Sequence, residues 1–265
     1  MPTAETAGPA ILWGEACATA IRNARPNYVQ SSKEAVRHML HTAGLTGLLR
    51  RRQAARGFHV GRYLQDDVAE TFRANYQTGG WVHGEGQESR SGIGSSAAAT
   101  AGLTERIGAA MKHLGAKSLV DIGCGDWNWM KRGTLDFAYT GVDVVPEVIQ
   151  DNQRHARPGV SFAVCNAIAG PIPPADLALC REVLFHLSFA DARAVVRNIK
   201  AAAKYLIATT DLDIAINSDI QSGDFRRINL LRRPFGFPMP LGLVPDRGLI
   251  AARYLGVWET ASLPG

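Results

Sequence analysis

Ser118-Leu-Val-Asp-Ile-Gly-Cys-Gly-Asp126 decides how the chain is read. Its first five residues are a largely apolar run of strand length, and the run stops at two glycines separated by one residue. Glycine tolerates left-handed backbone and close approach by a ligand, so the segment reads as a strand feeding a tight turn whose N–H groups face a ligand. Further short apolar runs follow at Tyr139–Val144, Ser161–Val164, Leu177–Cys180 and Tyr205–Thr209. Between them, Pro146 to Ala156 reads as a helix with proline in its first turn. Ser188-Phe-Ala-Asp191 reads as a capping box opening a helix that carries Val195, Val196 and Ile199. Upstream, Leu103, Ile107, Ala110, Met111 and Leu114 recur on one face of a helix predicted from Ser96 onward. Short strands alternating with helices predict an α/β fold with a parallel sheet covered on both faces.

In such sheets ligands bind beyond the carboxyl ends of the strands, so what each strand delivers at its end is the test of a site. The first delivers Asp121, Gly123, Cys124, Gly125 and Asp126. The second delivers Asp143, with Val144 beside it, 22 residues after Asp121. A carboxylate at about that distance from a glycine turn suits the two hydroxyls of a ribose. The third delivers Asn166, whose amide can face a purine edge. The fourth delivers Arg181, Glu182 and, four residues on, His186, and the fifth delivers Asp211 and Asp213.

These residues carry a family resemblance. Ser118–Asp126 resembles the first motif of class I S-adenosylmethionine methyltransferases, Gly141-Val-Asp-Val-Val-Pro-Glu147 their second, and the run from Ala175 to Ser188 their fourth. The resemblance covers about residues 96–210 as a fold. It reaches further in a narrower group of sugar O-methyltransferases, including those of methylmannose polysaccharides, through Trp81, Ser91-Gly-Ile-Gly-Ser95, Asp224–Leu230 and Arg233–Pro238. It implies a Rossmann-like fold with a mostly parallel seven-stranded sheet. It also implies S-adenosyl-L-methionine as cofactor, with Asp121 near the methionine amino group and Gly123 and Gly125 along the methionine and ribose. Asp143 would take the ribose hydroxyls, Asn166 and Ala167 the adenine, and Arg181 the pocket near the sulfonium. Where many relatives have a third glycine this chain has Trp127, which is therefore expected on the substrate side.

Methyl transfer to a hydroxyl needs alignment and a base, and a positioned base contributes about 10²- to 10⁴-fold in rate. His186 is the first candidate because histidine titrates near neutral pH; Glu182 and the loop residue His83 compete with it. Asp211 and Asp213 are candidate oxygen ligands for Mg²⁺, whose involvement stays open. Arg90, Arg227 and Asn229 are candidate substrate contacts. A nucleic-acid methyltransferase is the alternative, drawing on the clusters Arg50–Arg52 with Arg56 and Arg226, Arg227, Arg232 and Arg233. No Asn/Asp-Pro-Pro-Tyr/Phe tetrapeptide follows the fourth strand to support it. A non-catalytic S-adenosylmethionine-binding module is the third reading.

The composition fits a globular enzyme: 46% apolar and 20% charged residues exclude a disordered chain. No apolar run approaches the roughly 20 residues that cross a bilayer, so no membrane partner is expected. Four separated cysteines and no basic-then-apolar leader point to a reducing cytoplasm. Residues 1–95 are expected to form a helical N-terminal extension, with Ala35, Met39 and Leu40 on one apolar face and Leu48 and Leu49 on another. The glycine-rich stretch 76–96, with Trp81, His83 and Arg90, is its lid. Residues 96–265 form the cofactor-binding core. A homodimer is left open.

Overall fold

The computed structural model describes residues 10–45, 67–81, 87–246 and 250–265. In chain order its elements are β1 (Leu12–Trp13), α1 (Gly14–Asn23), α2 (Tyr28–Thr42), α3 (Val68–Thr78), α4 (Leu103–Leu114), β2 (Ser118–Ile122), β3 (Ala138–Asp143) and α5 (Pro146–Asn152). There follow β4 (Val160–Val164), β5 (Ala175–Cys180), α6 (Phe189–Ala202), β6 (Ala203–Asp211), β7 (Gly242–Pro245) and β8 (Arg253–Glu259).

The strands form one sheet in the order β1-β7-β8-β6-β5-β2-β3-β4. Pairings β2–β3, β3–β4, β2–β5 and β5–β6 are parallel, whereas β8 runs against both β6 and β7. The sheet therefore has eight strands rather than the expected seven. The extra one is Leu12–Trp13, which pairs antiparallel with Leu243 and Gly242 at the edge. Gly242 makes this possible, since a Cβ there would collide with the Trp13 ring.

Both faces of the sheet are covered. Alternate residues point to opposite sides of a strand, so Val120, Val142, Ala178 and Leu206 join α6 through Val195, Val196 and Ile199. Leu119, Leu177, Leu179 and Ile207 join α4 through Leu103, Ile107, Ala110 and Met111 on the other side. The Ser188 side chain caps α6 by accepting from the Asp191 N–H. The chain leaves β2 toward β3 and β4 on one side and returns to β5 on the other, which opens a crevice at the carboxyl end of β2.

The apolar face expected at Ala35, Met39 and Leu40 is not a core face. α2 buries Ser31 and Glu34 instead and leaves Met39 exposed. Leu48, Leu49, the cluster Arg50–Arg52 with Arg56, and His83 lie outside the described residues. Among the described residues, no helix is long and apolar enough to cross a membrane.

Candidate active site

The crevice at the carboxyl ends of β2, β3, β4 and β5 encloses about 1000 Å³ including its open mouth. Asp121, Gly123, Cys124, Gly125, Asp143, Val144, Asn166, Ala167, Arg181, Glu182 and His186 all line it. So do Val68, Phe72 and Tyr76 of α3, along with Trp81, Ser91, Ser95 and Trp129.

The glycine turn shapes the floor. Gly123 and Gly125 hold φ of 68° and 58°, the left-handed region open to glycine. The N–H groups of Gly123 and Cys124 donate to the Val142 carbonyl at 2.8 and 3.0 Å. That of Gly125 donates to Asp143 Oδ2 at 3.1 Å. The turn therefore spends these donors on β3, contrary to the expectation that they face a ligand, and contributes shape. Asp143 also accepts the Val145 N–H on Oδ1 at 3.0 Å. A carboxylate has about four acceptor directions, so each oxygen keeps capacity for one hydroxyl of a vicinal diol. Burial raises the Asp143 carboxyl to about 6, against the pull of those N–H groups.

Asp121 accepts the Tyr139 hydroxyl at 2.7 Å. Burial raises its carboxyl to about 7, with Tyr139 and Arg181 opposing. Asn166 turns Oδ1 back onto the Ile168 N–H at 3.0 Å, which leaves its Nδ2 donors for the crevice. Asn198 pins the same loop by donating to the carbonyls of Ala167 and Ile168 at 2.9 and 3.0 Å.

The wall after β5 is charged and paired. Arg181 donates from Nε and Nη2 to the Asp246 carboxylate at 3.0 and 3.1 Å and from Nη2 to the Gly94 carbonyl at 2.8 Å. Its guanidinium lies 5.4 Å from the Trp129 ring centre. Burial works against its charge, yet Asp246 and Glu182 hold its pKa above the usual arginine value. Glu182 sits at φ 58°, a conformation that non-glycine residues rarely adopt. Its carboxylate accepts from Arg253 Nη1 at 2.7 Å and lies 3.8 Å from Arg181. Both guanidinium groups face the Glu182 carboxylate, which leaves His186 as the less obstructed proton acceptor. Its Nδ1 is 2.8 Å from the Asp224 carbonyl oxygen. A carbonyl only accepts, so Nδ1 carries the proton and Nε2 the lone pair. Burial lowers the His186 pKa below its ordinary 6.5, outweighing the Asp224 carbonyl. Phe72, Trp81, Phe185 and Phe225 surround its ring.

Loop residues 89–91 are tied to the glycine turn through Asp126. The Ser89 and Ser91 hydroxyls donate to Asp126 Oδ1 at 3.0 Å each, and the Arg90 N–H to Oδ2 at 2.7 Å. The Arg90 side chain turns outward to Asp151 at 2.6 Å and does not line the crevice. Tyr76 hydrogen-bonds the Ser91 hydroxyl at 2.9 Å over Gly125, and burial pushes its phenol well up.

Several expected site residues lie elsewhere. Trp127 is only 1% exposed and packs on Tyr139, His155 and Phe162, so it is core rather than a substrate wall. The indoles that line the crevice are those of Trp81 and Trp129. Asp211 is engaged by Arg253 at 2.9 and 3.1 Å and lies 3.5 Å from Arg227, while Asp213 pairs with Arg227. These carboxylates are occupied by guanidinium groups and do not fit a divalent cation. Among the described residues, no group of three or more His, Cys, Asp or Glu is arranged to hold a metal. Arg227 is thereby structural, and Asn229 holds the tail together by donating to the Ile214 carbonyl at 2.9 Å and accepting the Leu231 N–H at 3.1 Å.

The residues missed from sequence are Phe72, Tyr76, Asp246 and Arg253. Phe72 and Tyr76 stand four apart on α3, an apolar spacing visible in the sequence. Asp246 lies 65 residues from Arg181 and carries no local signal.

Residues 120–205 match the family model described as a methyltransferase domain. Among curated proteins, none matches the chain. Solved structures with which it aligns include the methyltransferase domain of bacterial CtHen1, at 21% identity, TM-score 0.37, and 43% of this chain against 67% of that one. The N-methyltransferase NodS from Bradyrhizobium japonicum WM9, complexed with S-adenosyl-L-homocysteine, aligns at 20% identity, TM-score 0.32, and 36% against 53%. Magnesium protoporphyrin IX methyltransferase from Synechocystis PCC 6803, with the same ligand, aligns at 16% identity, TM-score 0.39, and 52% against 70%. The chain spans about half of the NodS chain and about two thirds of the other two.

Proposed function

We propose that this chain, an S-adenosylmethionine-dependent methyltransferase, transfers the methyl group to a hydroxyl of a sugar or oligosaccharide, with methylated mannosides the first acceptors to try. The residues present fit the cofactor: the spare acceptor capacity of Asp143 suits a ribose diol, and the free Asn166 amide donors suit an adenine edge. Asp121 would receive the methionine ammonium. Pairing Arg181 with Asp246 and Glu182 removes the repulsion that a bare guanidinium would exert on a sulfonium. When bound, S-adenosyl-L-methionine supplies an electrophilic methyl group.

The observation that carries the acceptor reading is His186. With Nδ1 committed to the Asp224 carbonyl, Nε2 is left to take the proton of an attacking hydroxyl. Phe72, Tyr76, Trp81 and Trp129 give apolar faces against which a sugar ring can lie, and Ser95 offers a hydroxyl beside them. The arginines Arg226 and Arg227 weigh against nucleic acid: the first is buried and the second is paired to Asp211 and Asp213. Residues 87–96, held by Asp126, would form the fixed side of a lid over the acceptor.

A panel of mannosides, other sugars, amines and RNA, incubated with methyl-labelled cofactor with and without EDTA, tests this. Label on a glycoside hydroxyl, insensitive to EDTA, is expected. Label confined to amines or RNA would refute the acceptor class.

A further inference from the structure

α2 is amphipathic in the inverse sense. The side it turns to the protein is polar. The Ser31 hydroxyl accepts the Ala215 N–H at 3.1 Å, and buried Glu34 accepts from Gln30 and Ser218. Arg37 donates to the Phe225 carbonyl at 2.7 Å, and His38 accepts the Asp219 N–H at 3.3 Å. Tyr28, Val29, Val36 and Met39 share the opposite side of the helix and are 76, 69, 55 and 69% exposed. At 100° per residue these four fall within roughly a third of the helix circumference. Among the described residues, none of the core clusters includes them. A helix that spends its polar side on the protein and shows water a contiguous apolar stripe is built to cover or be covered.

The charge of the flanking sequence selects the occupant. Along the sequence, residues 16–65 contain nine Lys and Arg against one acidic residue, Glu34, five of the nine lying outside the described residues, although the whole chain carries only +5. The single acid is buried, while Arg25 and Lys33 beside the stripe are exposed. Positive charge with a nucleic-acid partner would leave the apolar stripe unrewarded. Positive charge with a second copy of the same positive segment would repel. An anionic lipid surface rewards both, since acyl chains take the stripe and headgroups the cations.

We propose that α2 docks this protein on an anionic membrane surface, lying in the interface plane with Tyr28, Val29, Val36 and Met39 inserted. The expectation of no membrane partner rested on the absence of a spanning segment, which an interfacial helix does not need. The helix is also fastened to the acceptor side of the crevice: Arg37 holds the carbonyl of Phe225, next to the Asp224 carbonyl that orients His186.

The test is flotation of the full chain with vesicles of phosphatidylcholine alone or mixed with phosphatidylglycerol, in low and high salt. The wild type is expected to float with the anionic vesicles and to lose binding in high salt. Val36→Glu/Met39→Glu should lower the bound fraction about tenfold or more, and Val36→Ser/Met39→Ser less, both with unaltered melting and unaltered S-adenosylhomocysteine affinity. No binding by the wild type, equal binding to neutral vesicles, or full binding by the Glu variant overturns the proposal. So does a dimer in sedimentation equilibrium that the same variant abolishes, or RNA binding that it abolishes. None of these outcomes depends on which acceptor is methylated.

Discussion

Two polar clusters sit at the same end of the sheet and do opposite things. One gathers Asp121, Asp143, Asn166 and His186 around the β2 turn. The other gathers Asp211, Asp213, Asn217, Arg227, Asn229 and Arg253 beyond β6. Both look like sites by residue type. In the tail cluster both carboxylates meet guanidinium groups, the Asn217 side chain bonds the Asn229 main chain and the Asn229 side chain bonds Ile214 and Leu231, so the carboxylates and amides are used up in folding the tail. At the β2 turn, Asp143 and Asn166 have each satisfied only part of their capacity and face an open crevice. Leftover hydrogen-bonding capacity beside open volume marks a site; polar content alone marks only a place where backbone had to be satisfied.

The contrast is sharpened first at His186. His186→Ala should lower kcat by about 10²- to 10⁴-fold while S-adenosylhomocysteine binds as before. An unchanged kcat would remove the base from the crevice and blur the distinction. The next largest effect belongs to the tail. Asp211→Ala takes two hydrogen bonds from the buried Arg253 guanidinium, leaving it Glu182, and should cost about 3 kcal/mol in urea unfolding, with activity of the folded fraction indifferent to Mg²⁺. Loss of activity without loss of stability would make Asp211 a functional ligand after all.

A smaller effect is expected where the two loops meet. Asp126→Ala releases three donors of residues 89–91 and should weaken S-adenosylhomocysteine binding by roughly tenfold, without the collapse in kcat expected at His186.

The pH dependence follows from the raised carboxyls. The proposed grip of Asp143 on two ribose hydroxyls needs the ionised carboxylate, and burial raises its pKa to about 6. Affinity for S-adenosylhomocysteine should therefore hold at pH 7 and be roughly tenfold weaker at pH 5. Stability runs the other way: Asp121 and Asp143 bind protons more readily folded than unfolded. Their contribution to stability is present below about pH 4 and declines as pH rises through about 6 and 7. Urea midpoints across that range, compared with Asp143→Asn, check the sign.

The parallel half of the sheet was legible because each of its strands is an apolar run bounded by glycine, proline or charge, with local helix signals between. Ser118–Ile122 coincides with β2, and Leu103, Ile107, Ala110 and Met111 are the buried face of α4. β7 and β8 were not read from residues, because their pairings with β6 and with each other are set by the returning tail. Trp127 departs from its expected substrate-side place because at φ 53° its indole is buried in the core, a direction that spacing does not encode. α2 was misjudged because an apolar stripe is taken to face inward, and here Ser31 and Glu34 do. Asp246 escaped because its partner Arg181 lies on a distant strand end.

In the proposed function the β2 turn and Asp143 grip an adenosyl group while the tail cluster only folds. Calorimetric titration of S-adenosylhomocysteine into the wild type, Asp143→Ala and Asp213→Ala measures both halves at once. One site per chain is expected, with affinity reduced about 10- to 100-fold by Asp143→Ala and unchanged by Asp213→Ala. Equal affinity for wild type and Asp143→Ala, or a loss confined to Asp213→Ala, would contradict it.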